Sequence, residues 1–302
     1  MKRQKIDFAT TLNETQSYIG ELAIPYVTEA FTKNKTVDSG VRIVEDIVKY
    51  EYVAKLSGSG LVQTGQSCDF NPDGTITATE VKLAPCTFHI DIELCYEKLE
   101  ALWNGISSGN LNTQDAGADF QSALQKVLID AMHVDFEDKL WNFTGSTTGC
   151  SITGLTGQIT NIVSGVTGLT SGNIVAAVDA LTLALPNNIL EDVTGLKIYM
   201  NPKTALKYKQ ALMKLGLNTP ADMPPQTYGG LSIYVISQIK DNVMVAIQPQ
   251  NIVVGVGAAD NFTQLIIKDM RESTLDNKVR MKIQGNADFK VIYPAEAAMW
   301  KF

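Results

Sequence analysis

The stretch DAGADFQSALQKVLIDAMHVDFEDKLWN, residues 115–142, constrains the fold more than any other part of the chain. Phe120, Leu124, Val127, Ala131, Val134 and Trp141 recur at three- and four-residue steps, and Asp115 or Asp119 stands ready to cap the start. Leu128, Met132, Phe136 and Leu140 form a second stripe. A helix of this length runs about 42 Å. Apolar contact on two sides predicts a central beam with material packed on both, so the remaining elements must be ones that can flank it.

What precedes the beam is poor in core. Residues 1–40 read as an arm, with one short helix broken at Pro25. Residues 41–103 alternate like strands, through VRIVEDIVKYEYVAKL, TITATEVKLA and TFHIDIEL, with turn signals at SGSG (57–60) and NPDG (71–74). Between 41 and 100 there are ten acids and five bases, so most of the net charge of −7 lies here. A long, polar, acidic hairpin buries little of itself, and unpaired strand edges invite association. Such an excursion makes most sense lying on a partner.

After the beam, residues 140–178 carry no charge, and seven glycines over 143–173 argue for loops and short extended pieces. Ser171 is placed to cap a helix over NIVAAVDALTLALP. LKIYMNP reads as a buried strand, and KTALKYKQALMKLG as a helix stopped at Gly216. LSIYVIS, NVMVAIQP, NIVVGVG and QLIIKDM are short strands, and KVRMKIQGNADFKVIYP is two paired strands or one bent strand. The order is arm, β loop, long helix, α/β lobe, closing strands, which is an α+β fold.

Composition removes several classes of function. At 302 residues, 45% hydrophobic and 19% charged, the chain is globular and large enough to fold without staples. Its acidity disfavours a domain that grips nucleic acid by phosphates. No stretch reaches the roughly 18 uninterrupted apolar residues of a spanning helix, and the N-terminus is not a secretory signal. Cys68, Cys86, Cys95 and Cys150 show no CxxC pair and read as free thiols of a reducing compartment, though their spacings leave room for a single bridge.

Candidate chemistry is thin. GVGAAD (255–260) follows a strand but lacks the third glycine and a following helix, so it fails as a dinucleotide turn. GSTTGCS (145–151) lacks the lysine of a phosphate loop. His89, Asp91 and Glu93 share one strand face and have ligand chemistry for a divalent metal, although a solvated face produces the same alternation. His133 and Glu137 lie one helical turn apart without the second histidine of HExxH. Ser59 and Ser151 have no nearby base. Lys197, Lys203, Lys207, Lys209 and Lys214 form the one basic cluster, in a stretch (193–221) with no acid. It suits a solvated helix face, an acidic neighbour such as the 41–100 excursion of another copy, or nucleic acid. Lys2, Arg3 and Lys5 at the N-terminus are a further, weaker phosphate candidate.

The order of elements resembles the major capsid proteins of tailed double-stranded-DNA bacteriophages, which share the Hong Kong 97 fold. In that likeness 1–40 is the N-terminal arm, 41–103 the extended β loop, 104–150 the peripheral domain with its spine helix, 151–260 the axial domain, and 261–302 the closing strands of the peripheral domain. WNFTGSTTGCSITGLTG is similar to the glycine-rich stretch after the spine, ending in the pair Gly154-Leu155. SGNIVAAVDALTLALPNN and GLKIYMNPKTALKYKQAL resemble the family's helix, strand, Asn-Pro turn and second helix. GGLSIYVISQI, NVMVAIQPQNIVVGVG and KVRMKIQGNADFKVIYPAEAAMW resemble its final strands.

The resemblance implies a non-enzymatic subunit, without cofactor, metal or catalytic residue, that self-assembles into hexamers and pentamers of an icosahedral shell. The shell would enclose genomic DNA without reading its sequence and would be built in the bacterial host cytoplasm, away from membranes, with portal, scaffold and decoration proteins as partners. With only a short arm, scaffolding would come from another protein. No Lys–Asn cross-link is expected, although Lys55 and Asn71 flank the loop tip. Lys55, Gly58, Gly60, Asp69, Asp73, Glu80, Lys203, Lys207 and Lys214 are the expected interface residues. Gly58, Gly60, Gly145 and Gly149 would act as hinges, and an acidic inner wall would keep packed DNA from sticking. The alternatives are an encapsulin-type shell around a protein cargo, and a soluble metal-dependent enzyme built on His89, Asp91 and Glu93.

Overall fold

In the computed structural model, which describes residues 16–19, 34–59, 74–95, 130–147, 150–165, 167–191, 195–216, 231–257, 264–270 and 274–302, strands dominate. The chain runs through β1 (Gln16–Ile19), α1 (Lys35–Asp38), β2 (Arg42–Ile47), β3 (Glu51–Ser59), β4 (Thr75–Leu83) and β5 (Cys86–Cys95). Then come α2 (130–142), the described part of the beam, β6 (Thr144–Thr147), β7 (Cys150–Thr153), α3 (Leu155–Gln158) and β8 (Asn161–Ser164). The lobe that follows holds α4 (Ile174–Leu183), α5 (Asn187–Leu190), β9 (Lys197–Met200), α6 (Pro202–Lys214), β10 (Ser232–Val235) and β11 (Met244–Ile247). The chain closes with β12 (Ile252–Gly257), β13 (Gln264–Asp269), β14 (Lys278–Val291) and β15 (Ala298–Lys301).

Two sheets carry the architecture. One is ordered β1-β13-β14-β12-β2, with β5 on β14. The closing stretch is one strand, β14, whose fourteen residues serve β13 at Val279–Gln284, β12 at Ala287–Val291, and β5 at Lys278–Ala287. The other sheet is ordered β10-β9-β11-β15-β8 and mixes parallel and antiparallel pairs. β12 therefore lies in one sheet and β15 in the other, so the chain passes between sheets on both sides of β14.

Period-two alternation decides what each face of the second sheet touches. Ile198, Met200, Met244, Ala246 and Ala298 face α4 and α6 in a separate apolar cluster. Tyr199, Val245 and Met299 point the other way, into the main core with α2 and the first sheet. α2 sends Met132, Phe136, Leu140 and Trp141 into that core. Trp141 meets Tyr199 of one sheet, and Phe136 meets Phe88 of the other. The beam thus packs on two sides over its described length; Val134 is exposed rather than part of the stripe. Residues 115–129, where the beam was expected to begin, lie outside the described residues.

Local signals explain the rest. Asn201 caps α6 by accepting from the Thr204 amide at 2.7 Å, with Pro202 in the first turn. α4 starts at Asn173, not at Ser171: the Ile174 amide already closes a turn onto the Thr170 carbonyl, and Ser171 Oγ accepts from Lys214 instead. The expected excursion, 41–103, is only partly a projection. β2 pairs in parallel with β12, and β5 pairs with β14 over ten residues, because Phe88, Ile90, Ile92 and Leu94 pack on the main core. Among the described residues of this stretch, β3 and β4 leave the body, as a two-stranded ribbon rooted on Ile47, Val53, Leu83, Val253 and Ile292.

One expectation about thiols fails. Cys86 is disulfide-bonded, whereas Cys95 is free. Cys86 opens β5 immediately after the ribbon returns to the body, so the bridge lies at the ribbon's root.

Candidate assembly interface

Two segments are each fastened to the body by one buried carboxylate. Glu137 of α2, 2% exposed, accepts from the Thr36 amide at 3.3 Å and from Thr36 Oγ1 at 3.2 Å. Thr36 Oγ1 in turn accepts from Trp141 Nε1 at 2.9 Å. Ser39 Oγ donates to the Thr36 carbonyl, so the Tyr199 hydroxyl is left to donate to Ser39 Oγ at 2.5 Å, and Lys197 Nζ donates to the Ser39 carbonyl. Residues 34–40 are therefore a peg set between the beam and the second sheet. At the ribbon root, Asp288 of β14, also 2% exposed, accepts from the Ala84 and Phe289 amides, with Lys290 Nζ at 3.6 Å.

Burial pushes both carboxyl groups above the ordinary range, and the amide hydrogen bonds only partly oppose it. The charges facing Glu137 are His133, one turn away, and Lys35 on the peg. A carboxyl whose folded pKa is raised stabilises the fold fully below its unfolded value, and that contribution is lost as pH rises through the folded value. The exposed Glu93 and Asp241 are shifted down by Lys278 with Arg280 and by Lys203, and their contribution is lost at low pH. Stability is thus expected to peak on the acid side of neutrality. Glu137→Gln keeps an acceptor for Thr36 without the charge. It should raise Tm at pH 7.5 and flatten the slope between pH 5 and 7.5; a slope identical to the parent's would remove Glu137 from the account.

The expected interface residues divide. Gly58 and Glu80 are exposed on the ribbon, opposite Ile76 and Ala54. Lys55 leans over the Tyr293 ring at 4.3 Å and ties the ribbon to its own body. Gly60, Asp69 and Asp73 lie outside the described residues, as do Asn71 and the hinge glycine Gly149. Lys203 pairs with Asp241 at 3.0 Å, Lys207 donates to Asn242 Oδ1 and Lys214 to Ser171 Oγ, while Lys197 is turned inward. The basic cluster is largely engaged within the chain, which weakens the nucleic-acid reading of it.

The metal reading loses its geometry. Glu93 is held by Lys278 at 2.5 Å and by Arg280 at 2.9 Å, which leaves His89 and Asp91, 3.8 Å apart, without a third ligand among the described residues. Among the described residues no three His, Cys, Asp or Glu side chains gather as a metal site. No described helix is long and apolar enough to cross a membrane.

Two surface features escaped the sequence reading. One is a pocket of about 240 Å³ between β5, α2 and the β6–β7 hairpin, walled by Phe88, Phe136, Phe143, Ile152 and Phe289. Phe88 meets Phe136 edge to face, with centroids 4.6 Å apart. The Phe88 and Phe143 rings lie so close over Gly285 and Gly145 that a Cβ there would stand 2.5 and 2.6 Å from them. Lys139 and His89 stand at the rim. The other is the outer face of the ribbon, where Leu56 and Ile76 are 69% and 68% exposed. Alternate apolar residues at 52, 54, 56, 76 and 78 in an otherwise polar segment were its signal.

No protein-family model and no curated protein matches the sequence. Solved structures do. A satellite phage P4 procapsid containing the size determination (Sid) protein aligns over 99% of this chain and 98% of its own, with TM-score 0.62 at 14% identity. The capsid of a native GTA particle aligns over 89% and 90%, with TM-score 0.59 at 12% identity. The capsid of Myoviridae phage XM1 aligns over 87% and 90%, with TM-score 0.56 at 11% identity. The chain has the fold of these phage capsids. The likeness extends over most of this chain and most of each structure it matches. The glycine-rich hairpin after the beam also gains a physical meaning: Gly154 donates to the Phe143 carbonyl at 2.6 Å, and Leu155 is 1% exposed in the main core.

Proposed function

We propose that this chain is the structural subunit of an icosahedral phage capsid, a non-enzymatic protein that assembles with copies of itself around genomic DNA. The observation that carries this reading is the likeness to capsid structures, which extends over 99% of the chain in one case and 89% in another. The ribbon agrees with it. Two strands without a layer beneath are marginal alone, and Leu56 and Ile76 expose apolar surface that a neighbour's body would cover. Obligate interfaces of this overlapping kind bury about 2,000 Å² or more. In this reading Gly58 and Glu80 lie at contacts between copies, and portal, scaffold and decoration proteins are separate chains assembled with the shell in the host cytoplasm.

Electron microscopy of the purified protein tests the reading. Hollow particles or five- and six-fold rings are expected. A protein that stays monomeric at high concentration, alone and with co-expressed scaffold, would end it.

A further inference from the structure

The aromatic pocket beside the beam is built as a preformed small-molecule site. Its floor is made of buried side chains, Phe136, Ala287 and Phe289. Phe88 and Ile152, which pack on the same core, form two walls, and Phe143 forms a third. Two of these rings are fixed by the backbone beneath them. The tips of Phe88 and Phe143 rest over Gly285 and Gly145, so closely that even a Cβ would displace them. Phe88 is also held edge to face on Phe136, with 84° between the planes. Walls seated in this way keep their positions instead of folding into the space between them, which is what a site formed in advance of its ligand requires.

Size and composition narrow the occupant. A cavity of about 150 Å³ takes a benzene ring, so the pocket of about 240 Å³ takes a fused pair of rings and little more. Aromatic walls suit an aromatic guest, which can meet them edge to face or offset. The rim supplies charge. Lys139 Nζ stands over the Phe143 ring, 5.4 Å from its centroid, and no ion pair engages it among the described residues. His89, also on the rim, is drawn to Asp91 at 3.8 Å, which leaves Lys139 as the cation for a ligand. A cation held only by a ring face gains from a carboxylate. A carboxylate at the mouth also keeps its remaining oxygen in water, so the ligand's charge is not buried.

We propose that this pocket binds a planar aromatic carboxylate, with its rings between Phe88 and Phe143 and its carboxylate on Lys139. The site stands on its own geometry and does not depend on the shell reading. A ligand seated there touches β5, the beam and the β6–β7 hairpin together, so it stabilises the folded chain by binding to it alone.

Calorimetric titration of the purified protein with 2-naphthoate, and with 2-naphthamide as its uncharged isostere, tests the proposal. One saturable site per chain with Kd below about 1 mM is expected for 2-naphthoate, with the amide at least about fivefold weaker. Lys139→Met keeps the stem and removes the charge. It should weaken 2-naphthoate at least about fivefold and leave the amide unchanged, so that the preference between the two disappears. Ile152→Trp narrows the pocket and should weaken both probes at least about tenfold. Lys139 is exposed, so its variant keeps the test decisive even where Ile152→Trp does not fold. No saturable binding of 2-naphthoate, or a Lys139→Met protein that binds it as tightly as the parent, overturns the proposal and leaves the shell reading standing.

Discussion

Trp141→Ala is expected to lower stability by about 3–5 kcal/mol, the range for removing a large aromatic from a packed core. The indole is fully buried, leans on Tyr199 at 5.2 Å and gives its N–H to Thr36. The change therefore opens a cavity between the beam and the second sheet and loosens the peg that holds residues 34–40. Against a whole-domain stability of about 5–15 kcal/mol, a loss of this size is a drop in Tm of roughly 10 °C or more. Trp141→Phe separates the two contributions. It keeps most of the volume and removes the donor, so it should cost only about 1–2 kcal/mol. Thermal melts of both variants, with hydrogen exchange at residues 34–40, check this; a Trp141→Ala protein melting within 2–3 °C of the parent would refute the central place given to the residue.

Gly154→Ala should be nearly as damaging for a different reason. Gly154 has φ −61, which any residue adopts, so conformational freedom is not its purpose. A Cβ there would stand 2.6 Å from the Phe143 amide nitrogen, 2.7 Å from the Trp141 carbonyl oxygen and 2.8 Å from its carbon. All three are backbone atoms that cannot rotate aside. Relief requires the hairpin to move off the end of the beam, stretching the 2.6 Å Gly154–Phe143 hydrogen bond and lifting Leu155 from the core. The upper part of the overpacking range, about 3 kcal/mol, is expected. Gly216→Ala is the contrast: φ is +75 and nothing lies within 4 Å of the added carbon, so only the left-handed backbone is penalised, at about 1 kcal/mol. Denaturant melts of the two variants should rank them in that order, and a reversed order would show that packing at the beam's end is looser than the geometry says.

Elements whose cause is local could be read from the sequence. Asn201-Pro202 marks the start of α6 because cap and first turn are neighbours in the chain, and the alternation of 278–291 marks a strand wherever it pairs. Elements whose cause is distant could not. TFHIDIEL reads as part of a projecting loop because nothing near it reveals that its partner is β14, some 190 residues later. The buried acids were missed for the same reason. Glu137 looks like a solvent-facing or ligand residue until Thr36 is set against it, and Asp288 like an ordinary strand acid until the Ala84 amide arrives. The basic cluster misled in the opposite sense, since Lys203 finds Asp241 only after β11 brings the two stretches together. The pocket has no sequence signature, because its phenylalanines come from four separate segments.

The long strand β14 also sets a timetable. Segments made early in synthesis depend on it or on its neighbours: β5 needs Lys278–Ala287, β2 needs Val253–Gly257, and β1 needs Gln264–Ile267. At about 5–20 residues per second on the ribosome, the roughly 200 residues between β5 and its docking strand take about 10–40 s to emerge. Throughout that interval a nascent chain has nowhere to anchor its ribbon. A prematurely terminated chain would never acquire that anchor, so the order of the strands itself separates finished polypeptides from broken ones.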